Sequence, residues 1–165
     1  MSKTEENLKA AFGGESQANR RYLAYAKQAE KDGNPHIAKL FRAVAAAETV
    51  HAHNHFGRLG GINSTAENLK AAIAGENYEV TTMYPEFIAD AETEGDKKAQ
   101  TIMSWAWEVE KQHEEYFRHA LKTLGAEAKD VEIFVCPVCG STHIGARPEK
   151  CPVCGTPGSR FELIE

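Results

Sequence analysis

The sequence predicts a mainly α protein, a four-helix bundle joined to a small irregular, β-containing metal-knuckle domain. Three observations predict it. Apolar residues recur at helical spacing from about residue 4 to about residue 124. Glycine or proline interrupts that pattern at Gly33-Asn34-Pro35, at Gly60-Gly61 and at Gly95-Asp96. All four cysteines lie between Cys136 and Cys154, in a stretch rich in proline and glycine. The expected organisation is a bundle over 1–125, a linker over 126–130 and a cysteine domain over 131–165. A chain of 165 residues accommodates one medium domain with a small appendage.

The first helix carries Leu8, Phe12, Glu15, Ala18, Tyr22 and Ala26 on one stripe, and Gly33 is a suitable stop. Asn34 followed by Pro35 suits the N-cap and first turn of the second helix, whose stripe is Ile37, Phe41, Val44, Glu48, His51 and His55. Ser64-x-x-Glu67 has the spacing of a capping box. It opens a third helix with Leu69, Ile73, Glu76, Val80, Met83 and Phe87 in line and Glu79 beside Val80. Pro85 lies late in that helix and is expected to kink it. The fourth stripe is Ile102, Ala106, Glu110, His113, Phe117 and Leu121, closed by Gly125. The remaining piece, 131–165, is too small to rest on an apolar core alone, so bound metal is expected to stabilise it.

Composition excludes several classes. Hydrophobic residues make up 42% and charged residues 26%, ordinary for a globular protein. No apolar run approaches the ~20 residues of a membrane span. Met1-Ser2-Lys3-Thr4-Glu5-Glu6 lacks the layout of a signal peptide, so a cytoplasmic location is expected. Net charge is −5, and the 19 Lys and Arg form no basic cluster of the kind that holds a phosphate backbone, so no nucleic-acid partner is expected. In a reducing compartment, clustered cysteines read as metal ligands.

The acids on the apolar stripes carry the functional argument. A helix in a soluble bundle turns Glu to water, yet Glu15, Glu48, Glu76 and Glu110 each sit on a different apolar stripe. Residues three apart share a face. Glu48 with His51, Glu76 with Glu79, and Glu110 with His113 can therefore each present two groups to one spot. A weak internal repeat accompanies this: Glu48-x-x-His51 begins 33 residues after Glu15, and Glu110-x-x-His113 begins 34 after Glu76. Five buried carboxylates without cations are severely unfavourable. Oxygen donors mixed with imidazole suit iron or manganese. Glu from two helices plus Glu-x-x-His from two others is the carboxylate-bridged di-iron pattern.

The tail reads Cys136-Pro-Val-Cys139-Gly and Cys151-Pro-Val-Cys154-Gly. Paired knuckles of this kind hold zinc or iron tetrahedrally. Each glycine after a cysteine pair admits positive φ and brings backbone N–H groups near sulfur. Zinc would make the domain a structural knob, and iron would make it a one-electron relay.

Taken together, these segments resemble the rubrerythrin family over essentially the whole chain. The resemblance is carried by Gly14-Glu15-Ser16-Gln17-Ala18-Asn19-Arg20-Arg21-Tyr22, Glu48-Thr49-Val50-His51, Ala74-Gly75-Glu76-Asn77-Tyr78-Glu79, Tyr84-Pro85, Glu110-Lys111-Gln112-His113 and the two Cys-Pro-Val-Cys-Gly knuckles. It implies a ferritin-like bundle with a rubredoxin-like tail. It further implies a non-haem di-iron peroxidase that reduces hydrogen peroxide to water. Two irons would be held by Glu15, Glu48, His51, Glu76, Glu79, Glu110 and His113, and one by Cys136, Cys139, Cys151 and Cys154, with zinc or manganese as substitutes. The tetracysteine iron would relay electrons from a rubredoxin or a nicotinamide-dependent reductase. One iron would shift between Glu79 and His51 with redox state, and Tyr22 and Tyr84 would hydrogen-bond near the irons.

Other residues carry plainer expectations. His53 and His55 read as satisfied core or interface histidines, Trp105 and Trp107 as packing or dimer contacts, and His36, His119 and His143 as surface residues. Ferritin-like bundles run their second and third helices in parallel, which needs a long crossover. Ligand positions along the helices require a link of ~30 Å, whereas about six residues near 60–65 reach at most ~20 Å. A homodimer that exchanges helices 1–2 and 3–4 between chains resolves the mismatch. Partial unwinding near Gly60 or Thr65 would resolve it without exchange. The competing functions are a ferritin-type ferroxidase, which does not need a tetrathiolate relay, and a non-enzymatic bundle with a zinc-bound partner module.

Overall fold

The computed structural model describes residues 2–127 and 130–165, so residues 128 and 129 of the expected linker lie outside the described residues. The chain forms two compact units, Met1–Asn63 and Ser64–Glu165.

The first unit is a helix pair, α1 (Lys3–Lys31) and α2 (Pro35–Arg58). Ser2 caps α1 by accepting a hydrogen bond from the backbone N–H of Glu5. Gly33, at φ 76°, turns the chain between the helices. Asn34 is the N-cap of α2 as expected, but its side chain donates back to the carbonyl of Asp32 instead of capping the helix. The buried line of α2 consists of Ala38, Ala45 and Ala52, which lets α1 approach closely through Ala26 and Ala29. Asn19 ties the pair by donating to the carbonyl of Ala45 at 2.7 Å and to the Thr49 hydroxyl at 2.9 Å. Phe12 stacks on Phe56. The expected stripe is thus displaced toward these small residues, and Ile37, at 37% exposure, lies outside the seam.

The second unit contains α3 (Thr65–Tyr78), a π-helical turn (Glu79–Met83), α4 (Tyr84–Glu94) and α5 (Lys97–Thr123). Ser64 and Glu67 form the expected capping box. The kink expected from Pro85 takes the form of the π turn just before it. The N–H of Tyr84 bonds to the carbonyl of Glu79, five residues back. Pro85 has no N–H, so the carbonyl of Val80 has no helical donor. The indole N–H of Trp107 on α5 supplies one at 2.8 Å. The extra residue of the π turn rotates everything after it by one position. Phe87 is therefore 44% exposed, and Ala91 takes a buried place. Ile102, expected on the core stripe of α5, is 63% exposed, whereas Val109 is buried.

After α5 the chain forms a three-stranded antiparallel sheet in the order β2-β1-β3, from β1 (Ile133–Val135), β2 (Thr142–Ile144) and β3 (Glu162–Ile164). Phe134, Phe161, Cys136 and Cys151 make its small core. His143 is half-buried rather than on the surface, because β2 turns its ring edge-on to Phe161 with centroids 5.3 Å apart. His36 and His119 are exposed as expected. Among the described residues no helix is long and apolar enough to cross a membrane.

Candidate functional site

Each unit carries one acid–acid–histidine cluster. In the first, Glu15 on α1 meets Glu48 and His51 on α2, with one donor atom from each lying within 4.8 Å of the others. The Glu48 side chain is 15% exposed, and its carboxylate lies 2.8 Å from His51 Nδ1. The cluster follows from helix geometry: Glu48 and His51 are one turn apart, and the alanine seam brings α1 close enough for Glu15 to join them.

In the second unit Glu76 on α3 meets Glu110 and His113 on α5 with the same spacing limit. Glu110 is 15% exposed and lies 2.6 Å from His113 Nδ1. Burial first, and then the neighbouring Glu110 carboxylate, push the Glu76 carboxyl up to about 7. Glu79, the first residue of the π turn, stands outside the three mutually close donors. Burial and Glu110 nevertheless raise its carboxyl as well. Tyr84 is raised by burial and by Glu110, Glu79 and Glu76, so its hydroxyl keeps its proton at neutral pH. The His113 ring is raised chiefly by its hydrogen bond to Glu110. Crowded carboxylates that hold protons to reduce their repulsion are a donor set short of positive charge. A cation between them removes that penalty, and two carboxylates with an imidazole fit a first-row divalent metal.

Tyr22 does not join a cluster through any hydrogen bond among the described residues. Its ring packs beside Tyr25 and Phe41, with centroids 6.2 and 6.1 Å away.

The four cysteines converge as expected, and none is in a disulfide. The sulfurs of Cys136 and Cys154 are 3.6 Å apart and those of Cys139 and Cys151 3.5 Å. The edge of a tetrahedron with metal–sulfur bonds of about 2.3 Å is about 3.8 Å, so a single ion fits. The two knuckles repeat one turn. Gly140 (φ 83°) donates to the carbonyl of Cys136, and Gly155 (φ 78°) donates to that of Cys151. Burial acts to raise the Cys154 thiol, but hydrogen bonds from Thr156 and the neighbouring cysteines outweigh it and lower the thiol to about 6. Burial raises Cys139. A metal that binds thiolates overrides this split.

Sequence reasoning missed the seating of the knuckle segment 140–142 on α5. Ser141 donates to Gln112 Oε1 at 3.1 Å, the Tyr116 hydroxyl donates to the carbonyl of Thr142 at 2.9 Å, and Thr142 Oγ1 lies 3.1 Å from His113 Nε2. These partners are about 26–29 residues apart in sequence, and no local pattern marks them.

Comparison with known proteins finds matches for both parts of the chain. The Rubrerythrin family profile matches residues 6–121, and the profile described as the rubredoxin-like domain of rubrerythrin matches residues 134–162. Rubrerythrin-2 of Clostridium acetobutylicum is 36% identical, over 98% of this chain and 96% of its own length. Nigerythrin of Nitratidesulfovibrio vulgaris is also 36% identical, over 98% of this chain and 86% of its own length. A solved structure of nigerythrin in a mixed-valence state aligns with a TM-score of 0.60 at 36% identity, covering 99% of this chain and 88% of that one. Another, of nigerythrin fully reduced and all ferrous, aligns with a TM-score of 0.60 at 35% identity over the same shares.

Proposed function

The chain belongs to the rubrerythrin family, and we propose that it is a peroxidase that reduces hydrogen peroxide to water in the cytoplasm. One observation supports this most: two matching acid–acid–histidine clusters and a four-thiolate site occur in one chain. A ferroxidase needs the first two but not the third.

We assign Glu15, Glu48, His51, Glu76, Glu79, Glu110 and His113 as the residues that would hold one di-iron centre, and the four cysteines as those that would hold a third iron. Residues 1–125 form the catalytic domain and 131–165 the relay domain in this reading. Two ferrous ions held there would supply the two electrons that, with two protons, convert one hydrogen peroxide to two waters, and the tetrathiolate iron would return those electrons singly from a rubredoxin or a nicotinamide-dependent reductase.

The chain's own residues do the rest. Tyr84, protonated and half-buried beside three carboxylates, is placed to donate a hydrogen bond to an oxygen of hydrogen peroxide. Tyr22 is assigned the matching role from the first unit.

The short link after Arg58 also supports a homodimer in which helices α1–α2 of one chain complete the centre of another. The functional test is anaerobic mixing of the reduced protein with hydrogen peroxide or with dioxygen. Much faster oxidation of the irons by peroxide is expected. Equal rates, or faster oxidation by dioxygen, would overturn the peroxidase reading in favour of a ferroxidase.

A further inference from the structure

We infer that Thr142, in the tetracysteine domain, is a positioning residue that fixes the tautomer of His113 on α5. The inference rests on His113 being a metal ligand, as assigned above.

The geometry around Thr142 carries it. A threonine hydroxyl has one hydrogen to give. The carbonyl of Gly140, 3.2 Å from Thr142 Oγ1, stands ready to take it. The same oxygen lies 3.1 Å from His113 Nε2, within reach to accept a hydrogen bond from the ring. Nδ1 faces Glu110, at 2.6 Å, and so is the atom a metal in that cluster would meet; with metal on Nδ1 the ring's one hydrogen sits on Nε2, where the Thr142 oxygen accepts it. Thr142 is itself held. Tyr116, one turn along α5 from Gln112, donates to its carbonyl, while Ser141 next to it is fully buried and donates to Gln112. Three bonds from one face of α5 therefore seat this segment against the ring.

Among the described residues the other half-site has no such device. His51 is 55% exposed, and Glu48 is its sole hydrogen-bond partner among the described residues. The two otherwise matching histidines thus differ. One is held by the tetracysteine domain, while among the described residues the ring of the other has only its neighbour one turn away to orient it. Because Thr142 lies three residues beyond Cys139, the fold of the knuckle sets where its hydroxyl stands. Metal held by the cysteines and metal held by His113 are therefore coupled, and by linkage the coupling acts in both directions.

The test uses full-length protein loaded with zinc at both sites, so that every nucleus is diamagnetic, together with Thr142→Val and Thr142→Ser. In the unmodified protein, long-range nitrogen–proton NMR is expected to show His113 bound through Nδ1, with a slowly exchanging proton on Nε2. In Thr142→Val that proton is expected to exchange at least about tenfold faster, and zinc affinity at the bundle to fall on the order of 10–100-fold. Thr142→Ser, which keeps the hydroxyl, is expected to restore both. Unchanged exchange and affinity in Thr142→Val, or a Ser variant that behaves like the Val variant, would overturn the inference. The visible spectrum of iron-loaded samples reports an intact tetracysteine site. Should the Val variant lose that spectrum, the Ser variant decides alone: slow exchange supports the role and fast exchange overturns it. If the unmodified protein takes up zinc only at the cysteines, both the metal-site assignment and this inference fail. Normal uptake with no effect of either substitution sinks the tautomer role alone.

Discussion

The indole N–H of Trp107 donates to the carbonyl of Val80 at 2.8 Å and so satisfies the one helical acceptor that Pro85 leaves without a donor. The bond spans 27 residues and holds the π turn that begins at Glu79 against α5. It links a residue that reads as simple packing in the sequence to the placement of a candidate metal ligand.

Trp107→Phe, which keeps an aromatic ring but removes the donor, is therefore expected to cost about 1–3 kcal/mol. Pro85→Ala restores an N–H and should make that loss smaller. Denaturant unfolding of both single variants and the double variant measures the coupling, expected at about 1 kcal/mol. Simple additivity would show that Trp107 stabilises the unit by packing alone.

Protein carrying zinc at the cysteines but no metal in the bundle is expected to lose stability as pH rises. Burial and Glu110 raise Glu76 from the usual 4.5 to about 7, and Glu79 and His113 are raised too. The folded state thus binds these protons more tightly than the unfolded state. Their contribution is complete below the unfolded values and is lost as pH climbs through the folded ones. Thermal unfolding from about pH 5 to about pH 8 should show a falling Tm that Glu76→Gln flattens. Metal in the bundle requires deprotonated ligands and should reverse the slope. A metal-free Tm that rises over this range would contradict the crowding of acids.

Replacing the tetracysteine iron with zinc, while leaving iron in the bundle, separates chemistry from supply. Chemically reduced protein should still be oxidised by peroxide at the normal rate. Turnover driven by a reductase and a nicotinamide should fall to background. Undiminished turnover would remove the relay role from Cys136, Cys139, Cys151 and Cys154.

Exchange of helices between chains can be read from mixed dimers. Glu48→Ala spoils the half-site of the first unit and Glu110→Ala that of the second. Co-expressed with different tags and purified as the mixed dimer, they should recover about half the bundle iron of unmodified protein, because one of two shared centres then has only intact ligands. If each centre belongs to a single chain, every centre in the mixed dimer is damaged and no recovery occurs.

The parts of this molecule that were legible in the sequence are those written in local periodicity. Glu15, Glu48, Glu76 and Glu110 stood out because acids do not belong on apolar stripes. Ser64 with Glu67, and each Cys-x-x-Cys-Gly, carry their geometry within about five residues. What escaped depends on long-range contact or on a shift of phase. A strict helical repeat carried through the π turn puts Phe87 inside, whereas one extra residue puts it at 44% exposure. The seam of Ala38, Ala45 and Ala52 was overlooked because larger neighbours on the same helix looked more like core. Trp107, His143 and Thr142 acquire their partners only when α5, the π turn and the sheet have packed.

The central claim is that carboxylates and imidazoles from both helix pairs form one centre whose two irons react with peroxide together. Mössbauer spectra of anaerobically purified, iron-57-enriched protein test it most directly, taken fully reduced and again after one equivalent of hydrogen peroxide. Two ferrous ions in oxygen and nitrogen surroundings for every ferrous tetrathiolate are predicted at first, with the pair converting to a spin-coupled diferric centre on oxidation. Bundle iron that is mononuclear, or a pair that peroxide leaves ferrous, would contradict the account.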